Sequence, residues 1–142
     1  MSSIKLSKAN SIIRSVFKKG SSLGLAPLAV VVLDVGGHIK VLQSQDGAGF
    51  LKSQIAQAKA YGCLGMGKNS RDLGENADER PHHAHAMNAI SGGRYMPVAG
   101  GVIIKNRAGQ ILGAVGVSGA LSESDEQCAL WAIEHCGFVA ET

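Results

Sequence analysis

The chain has 142 residues, a length that fits one domain spanning residues 1–142 with a hydrophobic core of its own. A net charge of +3, carried by scattered lysines and arginines, and only one Trp, two Tyr and three Phe argue against nucleic-acid binding. No run approaches the roughly 18 apolar residues of a membrane-spanning helix, which argues against a membrane protein.

The first residues and the cysteines bear on where the protein works. Residues 1–8 lack the apolar stretch of a secretory signal peptide. Cys63, Cys128 and Cys136 are odd in number and have no C-x-x-C spacing, so neither a disulfide framework nor a zinc knuckle is indicated. We expect reduced, largely buried thiols and a cytoplasmic protein.

The first third of the chain predicts a helix followed by a hairpin. The helix has Ser7 as its N-cap, apolar residues at helical spacing, and Gly20 available to end it. The continuous apolar run 28–33 is typical of a strand covered on both faces. Residues 34–37 form a turn, and the alternating pattern over 38–45 predicts the partner strand.

The middle of the chain predicts a second helix and then an irregular segment. Within residues 50–61, apolar residues at helical spacing predict a buried face formed by Leu51, Ile55, Ala58 and Tyr61. Residues 62–80 are rich first in glycine and then in charged side chains. We expect an ordered connection there with at most one short helix.

Another short helix is predicted to begin near Pro81, because proline suits the first turn of a helix. A Ser-Gly-Gly sequence at residues 91–93 ends it. The segment between them carries three of the five histidines of the chain, namely His82, His83 and His85.

A second hairpin is the element around which the sequence is organised. A β-branched run at 102–104 is followed by turn residues at 106–109 and by a second apolar run at 111–117. The second arm has glycine at every third position, at Gly113, Gly116 and Gly119. Since glycine weakens a strand, this spacing predicts that another backbone, a helix or a ligand lies close against it.

A final helix follows the second hairpin. Ser124 with Gln127 fits a capping box at its start, and Ser122 with Asp125 fits one a turn earlier. The face expected to point to the core is marked by Cys128, Trp131, Ala132 and His135.

The order of elements predicts the fold class. Two hairpins with helices between them and no βαβ crossover indicate an α+β domain. We expect an antiparallel sheet of four to five strands packed against helices.

With these elements in place, the chain resembles the GlcG/HbpS family, which also includes the C-terminal domain of PduO-type corrinoid adenosyltransferases. The resemblance rests on an apolar run with Asp-x-Gly-Gly at 30–38, Ala-Lys-Ala at 58–60 and Gly-Gly-Val at 100–102. The most specific match is Gly-Ala-Val-Gly-Val-Ser-Gly-Ala at 113–120, followed by Ser-Asp-Glu at 124–126. The likeness spans nearly the whole chain.

The resemblance implies a profilin-like three-layer sandwich that assembles into homo-oligomers, dimers or larger. Some members of this family bind haem, and others accompany glycolate or diol-utilisation enzymes. The chain departs from the family pattern at Pro97, because the family usually places a proline after the Gly-Gly pair of the second hairpin and not before it. The histidine-rich segment is not part of the pattern, so a ligand role for it is particular to this chain.

The histidine cluster is the sharpest polar feature. His82 and His85 share a face if the segment is helical, and His83 and His85 share one if it is extended. Either pair can chelate a metal ion, or one imidazole can bind a haem iron. A solvated segment, an intersubunit contact and an acid/base role are the alternatives. A third metal ligand would come from His38, Asp78 or Glu79.

Other candidate binding residues lie outside this cluster. His38 follows a turn at a sheet end, where it can border a pocket or be an ordinary surface residue. Lys59 and Arg94 can each hold an anionic group such as a carboxylate or a haem propionate, although Lys59 can equally be an exposed helix lysine. Met96, like Met87, can line an apolar ligand slot or belong to the core.

These residues place a pocket between the segment 82–96 and the sheet. Binding of haem or a related tetrapyrrole is the function we favour. One alternative is a lyase, isomerase or tautomerase acting on a small carboxylate or aromatic substrate, with a histidine as acid/base and Arg94 or Lys59 holding the anion. Another is an oligomeric accessory protein of a bacterial catabolic operon. The sequence alone does not decide whether the protein is an enzyme.

Overall fold

The computed structural model describes residues 2–141 and divides them into five helices and five strands. The helices are α1 (Leu6–Ser22), α2 (Lys52–Met66), α3 (Ser70–Glu79), α4 (Pro81–Ile90) and α5 (Ser122–His135). The strands are β1 (Ala29–Asp34), β2 (Ile39–Ser44), β3 (Gly101–Lys105), β4 (Ile111–Ser118) and β5 (Val139–Ala140). No helix within 2–141 is both long and apolar enough to cross a membrane.

All five strands form one antiparallel sheet in the order β2-β1-β4-β3-β5. Both predicted hairpins, β1–β2 and β3–β4, are present, and β1 and β4 join them at the centre of the sheet. The register there pairs Ala29 with Ser118 at one end and Asp34 with Gly113 at the other. The predicted α+β class is therefore confirmed.

Helices cover both faces of the sheet and give three layers. On one face, α1 packs against β1 and α5 against β3 and β4, which buries Val30 and Val32 of β1; on the other face α2 packs against Val31 and Leu33. All four side chains are fully buried. A strand with helices on both faces needs a continuous apolar run, and residues 28–33 supply it.

The glycines of β4 admit the backbone of α2. A Cβ built on Gly116 would lie 1.9 Å from the carbonyl oxygen of Ala56, so no other residue fits there without moving the helix. The side chains that α2 packs against the sheet are correspondingly small, and they are Ala56, Ala60 and Cys63. The predicted close neighbour of this strand is thus a helix.

The predicted end of α2 is wrong, and of the predicted buried face only Ala58 is buried. The helix continues through Gly62 and Gly65 to Met66, beyond the predicted end near residue 61. Leu51 is 54% exposed, and the residues of α2 that are fully buried against the sheet are small. The apolar periodicity predicted that the larger side chains are buried. The helix lies so close to a glycine-rich strand that only small side chains fit between them.

The predicted caps are also wrong. The first helix begins at Leu6 and the last at Ser122, and neither start has a side-chain cap. Asp125 turns back to accept a hydrogen bond from the backbone N–H of Ala120 at 3.0 Å. His135 lies exposed at the end of α5 and does not face the core, because the helix ends there.

The connection between α2 and the second hairpin contains α3 and α4. The sequence predicts at most one short helix within residues 62–80, and that helix is α3. The next helix, α4, begins at Pro81 as the sequence predicts. Ser70 and Asn69 attach the start of α3 to the sheet. The Ser70 hydroxyl accepts a hydrogen bond from the backbone N–H of Gly101 at 2.7 Å, and the Asn69 Oδ1 accepts one from Ile103 at 2.9 Å.

Candidate functional site

A cleft of about 200 Å³ lies between α2 and α4, and we call it the α2–α4 cleft. The sequence placed the pocket between the segment 82–96 and the sheet, but α2 covers that face of the sheet and forms the opposite wall. The mostly apolar lining comes from α2, from α4 and from the connection after α4. It consists of Tyr61, Gly62, Gly65, Met66, Met87, Ile90, Ser91, Arg94 and Tyr95.

Glycine in α2 makes room for the floor of the cleft. A Cβ on Gly62 would lie 3.2 Å from the ring of Tyr95, so the missing side chain lets this ring pack on the helix backbone. Tyr95 is 7% exposed, and burial raises the pKa of its phenol above the usual 10. The phenol therefore stays protonated at neutral pH.

Arg94 stands at the mouth of the cleft, held by two contacts. Its guanidinium carbon lies 4.0 Å from the centre of the Tyr61 ring, and its Nε donates a hydrogen bond to the backbone oxygen of Ser91 at 3.0 Å. The Tyr61 ring also lies against Gly37 of the β1–β2 turn. Within residues 2–141 no carboxylate forms an ion pair with Arg94, so its charge is available to an anion.

Only one histidine of the cluster shares a helix face with the cleft. Because the segment is helical, His82 and His85 lie together on an exposed face. His83 is half-buried and precedes the cleft residues Met87 and Ile90 by four and seven positions. The His83 Nδ1 is buried and has no hydrogen-bond partner among residues 2–141.

The other histidine that the sequence singled out is engaged elsewhere. His38 lies in the β1–β2 turn with its side chain 81% exposed and its Nδ1 3.3 Å from the Asp34 carboxylate. Burial acts to raise the pKa of Asp34, but hydrogen bonds from the backbone N–H groups of His38 and Gly36 and the nearby imidazole outweigh it, so the pKa is lowered. No three His, Cys, Asp or Glu side chains within residues 2–141 are grouped to hold a metal ion.

Lys59 points away from the cleft. It is 3% exposed, and its Nζ donates hydrogen bonds to the Val117 carbonyl at 2.9 Å and to the Asp125 carboxylate at 3.1 Å. The interpretation of Lys59 as an exposed helix lysine is wrong, because the chain folds a carboxylate over it. Met96 is 36% exposed and is not among the residues that line the cleft, whereas Met87 is.

The cysteines are free thiols, as predicted. Cys63 and Cys128 are buried, and Cys136 is half-buried. The Cys63 thiol donates a hydrogen bond to the Lys59 carbonyl at 3.1 Å, and burial raises its pKa to about 12. Cys63 therefore carries a proton at neutral pH and does not offer the cleft a thiolate.

Tyr61 and Tyr95 line the cleft, and sequence reasoning missed both as candidate site residues. Tyr61 was assigned to the core face of α2, and Tyr95 received no role. The available signal was the pair Gly62 and Gly65, because two glycines three positions apart leave a groove along one side of a helix.

Comparison with known proteins supports this fold. The sequence matches the family described as "Haem degrading protein HbpS-like" over residues 4–134. A crystal structure of a PduOC–haem complex superposes with a TM-score of 0.86 at 21% identity, covering 99% of each chain. No curated protein sequence matches the chain.

Two further crystal structures are similar. The ORFY protein of Klebsiella pneumoniae has a TM-score of 0.85 at 24% identity, covering 96% of this chain and 91% of its own. A double mutant of HbpS from Streptomyces reticuli has a TM-score of 0.84 at 23% identity, covering 96% and 89%. Likenesses at this identity show the fold, and the match over residues 4–134 shows more: the chain belongs to the HbpS-like family.

Proposed function

We propose that this protein binds haem or a closely related tetrapyrrole in the α2–α4 cleft. One observation carries the proposal, namely that three features meet at one cleft. The cleft is apolar, and the Arg94 guanidinium at its mouth has no ion-pair partner within residues 2–141. On α4, which forms one wall, the His83 imidazole has a buried nitrogen without a hydrogen-bond partner. The family description names haem, and one similar structure is a haem complex.

The residues present fit the chemistry of haem. Met66, Met87 and Ile90 offer apolar contact to a macrocycle, and the Arg94 guanidinium can hold a propionate. A buried polar atom without a partner is unfavourable, and a ligand on the His83 imidazole would relieve that condition. Bound haem would supply an iron ion, and the His83 imidazole would hold it.

The size of the cleft limits how such a ligand can bind. At about 200 Å³ it is smaller than the roughly 300–1,000 Å³ of pockets that enclose drug-sized ligands. A tetrapyrrole would therefore also have to contact the surface around the cleft. Ile90 is 77% exposed and Met66 is 40% exposed, so both present apolar surface for that purpose.

Titration with hemin tests the proposal. We expect a saturable Soret band for the wild type and weakening by about tenfold or more in His83→Ala, because a tenfold change corresponds to about 1.4 kcal/mol and a single ligand bond exceeds that. His82→Ala is the matched control, since His82 is exposed on another face of the same helix. Arg94→Gln should weaken binding while leaving the shape of the band unchanged. No saturable band, or equal losses in the two histidine variants, would overturn the proposal.

The same cleft supports a second function, a lyase or isomerase acting on a small aromatic carboxylate. The volume of about 200 Å³ favours it, because a molecule of that size would be enclosed. Arg94 would hold the carboxylate, Tyr95 would donate a proton or hydrogen bond, and His83 would act as acid/base. The test is turnover of small aromatic carboxylates by purified protein, lost in His83→Ala and kept in His82→Ala. A screen without turnover counts against it.

We also propose that the protein forms a homo-oligomer, which the accessory-protein alternative requires as well. Large apolar side chains are exposed at three separate places, with Phe50 at 86%, Ile90 at 77% and Leu121 at 76%. Sedimentation analysis should give a dimer or a larger species, and Phe50→Ser is the first variant to test for a smaller one. A monomer at every concentration would contradict self-association.

A further inference from the structure

A second concave surface, distant in sequence from the histidine cluster, is lined by polar and basic side chains. A groove of about 370 Å³ runs between α1 and the C-terminal end of α5, and we call it the α1 groove. Its wall on α1 is polar and basic, and His135 stands on the opposite side. The α1 residues that line it are Lys8, Ser11, Arg14, Ser15 and Lys18.

The helical register places these side chains together. Lys8, Ser11, Ser15 and Lys18 follow the spacing i, i+3, i+7 and i+10, which keeps them on one face of α1. The opposite face is fully buried against the sheet through Ile12, Ile13 and Val16, so the helix cannot rotate. The chain has no acidic residue before Asp34, and this face therefore carries positive charge alone.

The three cations of the groove have no ion-pair partner among residues 2–141. No carboxylate within residues 2–141 comes within ion-pair distance of Lys8, Arg14 or Lys18. Three other cations of the fold do have such partners, namely Lys59 with Asp125, Arg71 with Glu126 and Lys105 with Glu141. Charges of one sign along a concave wall attract anions and repel each other until an anion arrives.

Hydrogen bonds and a stacked ring give the groove a fixed shape. The Arg14 Nη2 donates to the Ser11 hydroxyl at 3.1 Å, which holds the guanidinium along the helix. The His135 ring stacks on Trp131 with ring centres 4.4 Å apart, and the Lys19 Nζ lies 5.4 Å from the centre of the Trp131 ring. The Arg14 fork and the point charges of the lysines are donors suited to phosphoryl oxygens.

We propose that the α1 groove binds a small molecule carrying two or three linked phosphoryl groups. The cations from Lys8 to Lys18 are spread over ten residues, roughly 15 Å of helix at a rise of 1.5 Å per residue, so linked phosphoryl groups can contact more of them at once than a single phosphate can. Each exposed charge pair contributes little by itself, so several linked charges are needed to hold the ligand. The groove is open to solvent, and its volume of about 370 Å³ suits a small molecule better than a nucleic-acid duplex or a lipid surface.

Calorimetric titration with inorganic tripolyphosphate tests the proposal. We expect saturable binding at low ionic strength that weakens as salt is added, because screening acts on exposed charges. The double variant Arg14→Gln/Lys18→Gln should lose about tenfold or more in affinity. The double variant Lys40→Gln/Arg107→Gln is the matched control, since it removes the same two charges outside the groove. It should bind like the wild type.

Three results would overturn the proposal. They are a folded wild type that shows no saturable binding, equal losses in the two double variants, and inorganic phosphate binding as tightly as tripolyphosphate. The first removes the site, the second replaces it with general charge attraction, and the third removes the requirement for linked phosphoryl groups. All four substituted side chains are exposed, so circular dichroism should show an unchanged fold. Hemin titration of the Arg14→Gln/Lys18→Gln variant should match the wild type, which keeps this site distinct from the α2–α4 cleft.

Discussion

Lys59 and Asp125 form an ion pair that joins the two helical layers of the protein at the C-terminal end of the β4 strand. The Nζ–Oδ2 distance is 3.1 Å, and the side chains are 4% and 1% exposed. Lys59 belongs to α2 on one face of the sheet and Asp125 to α5 on the other. Gly100 makes the passage possible, because a Cβ there would lie 2.7 Å from the Lys59 Nζ.

Breaking this pair should destabilise the fold strongly. Lys59→Met leaves a buried carboxylate without its cation, and we expect a loss of about 3–5 kcal/mol in the free energy of unfolding. The double variant Lys59→Met/Asp125→Asn removes both charges and should recover part of the loss. Urea denaturation of the single and double variants measures the coupling. A Lys59→Met variant as stable as the wild type would show that the pair contributes nothing to stability.

Substitution of Gly116 should disturb the contact between the sheet and α2. In Gly116→Ala the new methyl group meets the Ala56 carbonyl at 1.9 Å, a backbone atom that no rotamer change can move. We expect a loss of about 3 kcal/mol, the upper end of the range for overpacking. Gly65→Ala is the control: its Cβ meets nothing within 4 Å, and removing a helix glycine should stabilise by about 0.5–1 kcal/mol. Thermal melts that rank the two variants in the opposite order would refute this account of the close approach.

Acid should weaken the β1–β2 turn through Asp34. The pKa of this carboxyl is lowered from 3.8 in the folded state, so its contribution to stability is fully present above that value and is lost as the pH falls through the folded pKa. In Asp34→Asn the backbone hydrogen bonds can persist without the charge. The stability difference between wild type and variant should shrink below about pH 4. The same pH series in a His38→Asn background removes the imidazole from both proteins. If the stability difference between the proteins with and without Asp34→Asn does not change with pH, the assignment of the acid dependence to Asp34 is contradicted.

The three thiols should differ in their reactivity toward iodoacetamide. The thiolate is the reactive form, and burial raises the pKa of Cys63 to about 12 and also raises that of Cys128. Cys136 is half-buried, with its Sγ 3.5 Å from the Ser15 hydroxyl. Mass spectrometry of the native protein should therefore show labelling first at Cys136, and labelling of all three in urea. Early modification of Cys63 would mean that α2 leaves the sheet readily.

Local signals predicted much of the fold. The glycine spacing of β4 and the β-branched run of β3 were sufficient for the second hairpin, and Pro81 marked the start of α4. The buried face of α2 was not predictable by the same method, because it is set by the contact of Ala56 with Gly116, 60 residues later in the chain. The start of α5 was not predictable for a similar reason, because the Asp125 carboxylate accepts hydrogen bonds from the Lys59 side chain and from the backbone N–H of Ala120.

The candidate site was only partly readable from the sequence. Arg94 and the histidine segment were selected by residue type, and the structure distinguishes His83 from His82 and His85 by burial. The positions of Tyr61 and Tyr95 depend on how α2 and the connection after α4 pack together, and no pattern within either segment contains that information. The cations of α1 looked scattered along the chain, but helical register gathers three of them in one groove.

The tenuous attachment of α4 has a consequence for the kinetics of ligand entry. This ten-residue helix has no fully buried side chain, and an isolated helix of that length is marginal in water. Its amide hydrogens should exchange with solvent far faster than those of β1 and β4, in an opening that leaves the sheet intact. A molecule too large for the closed cleft can then enter while α4 is detached, and its residence time would depend on how often α4 opens.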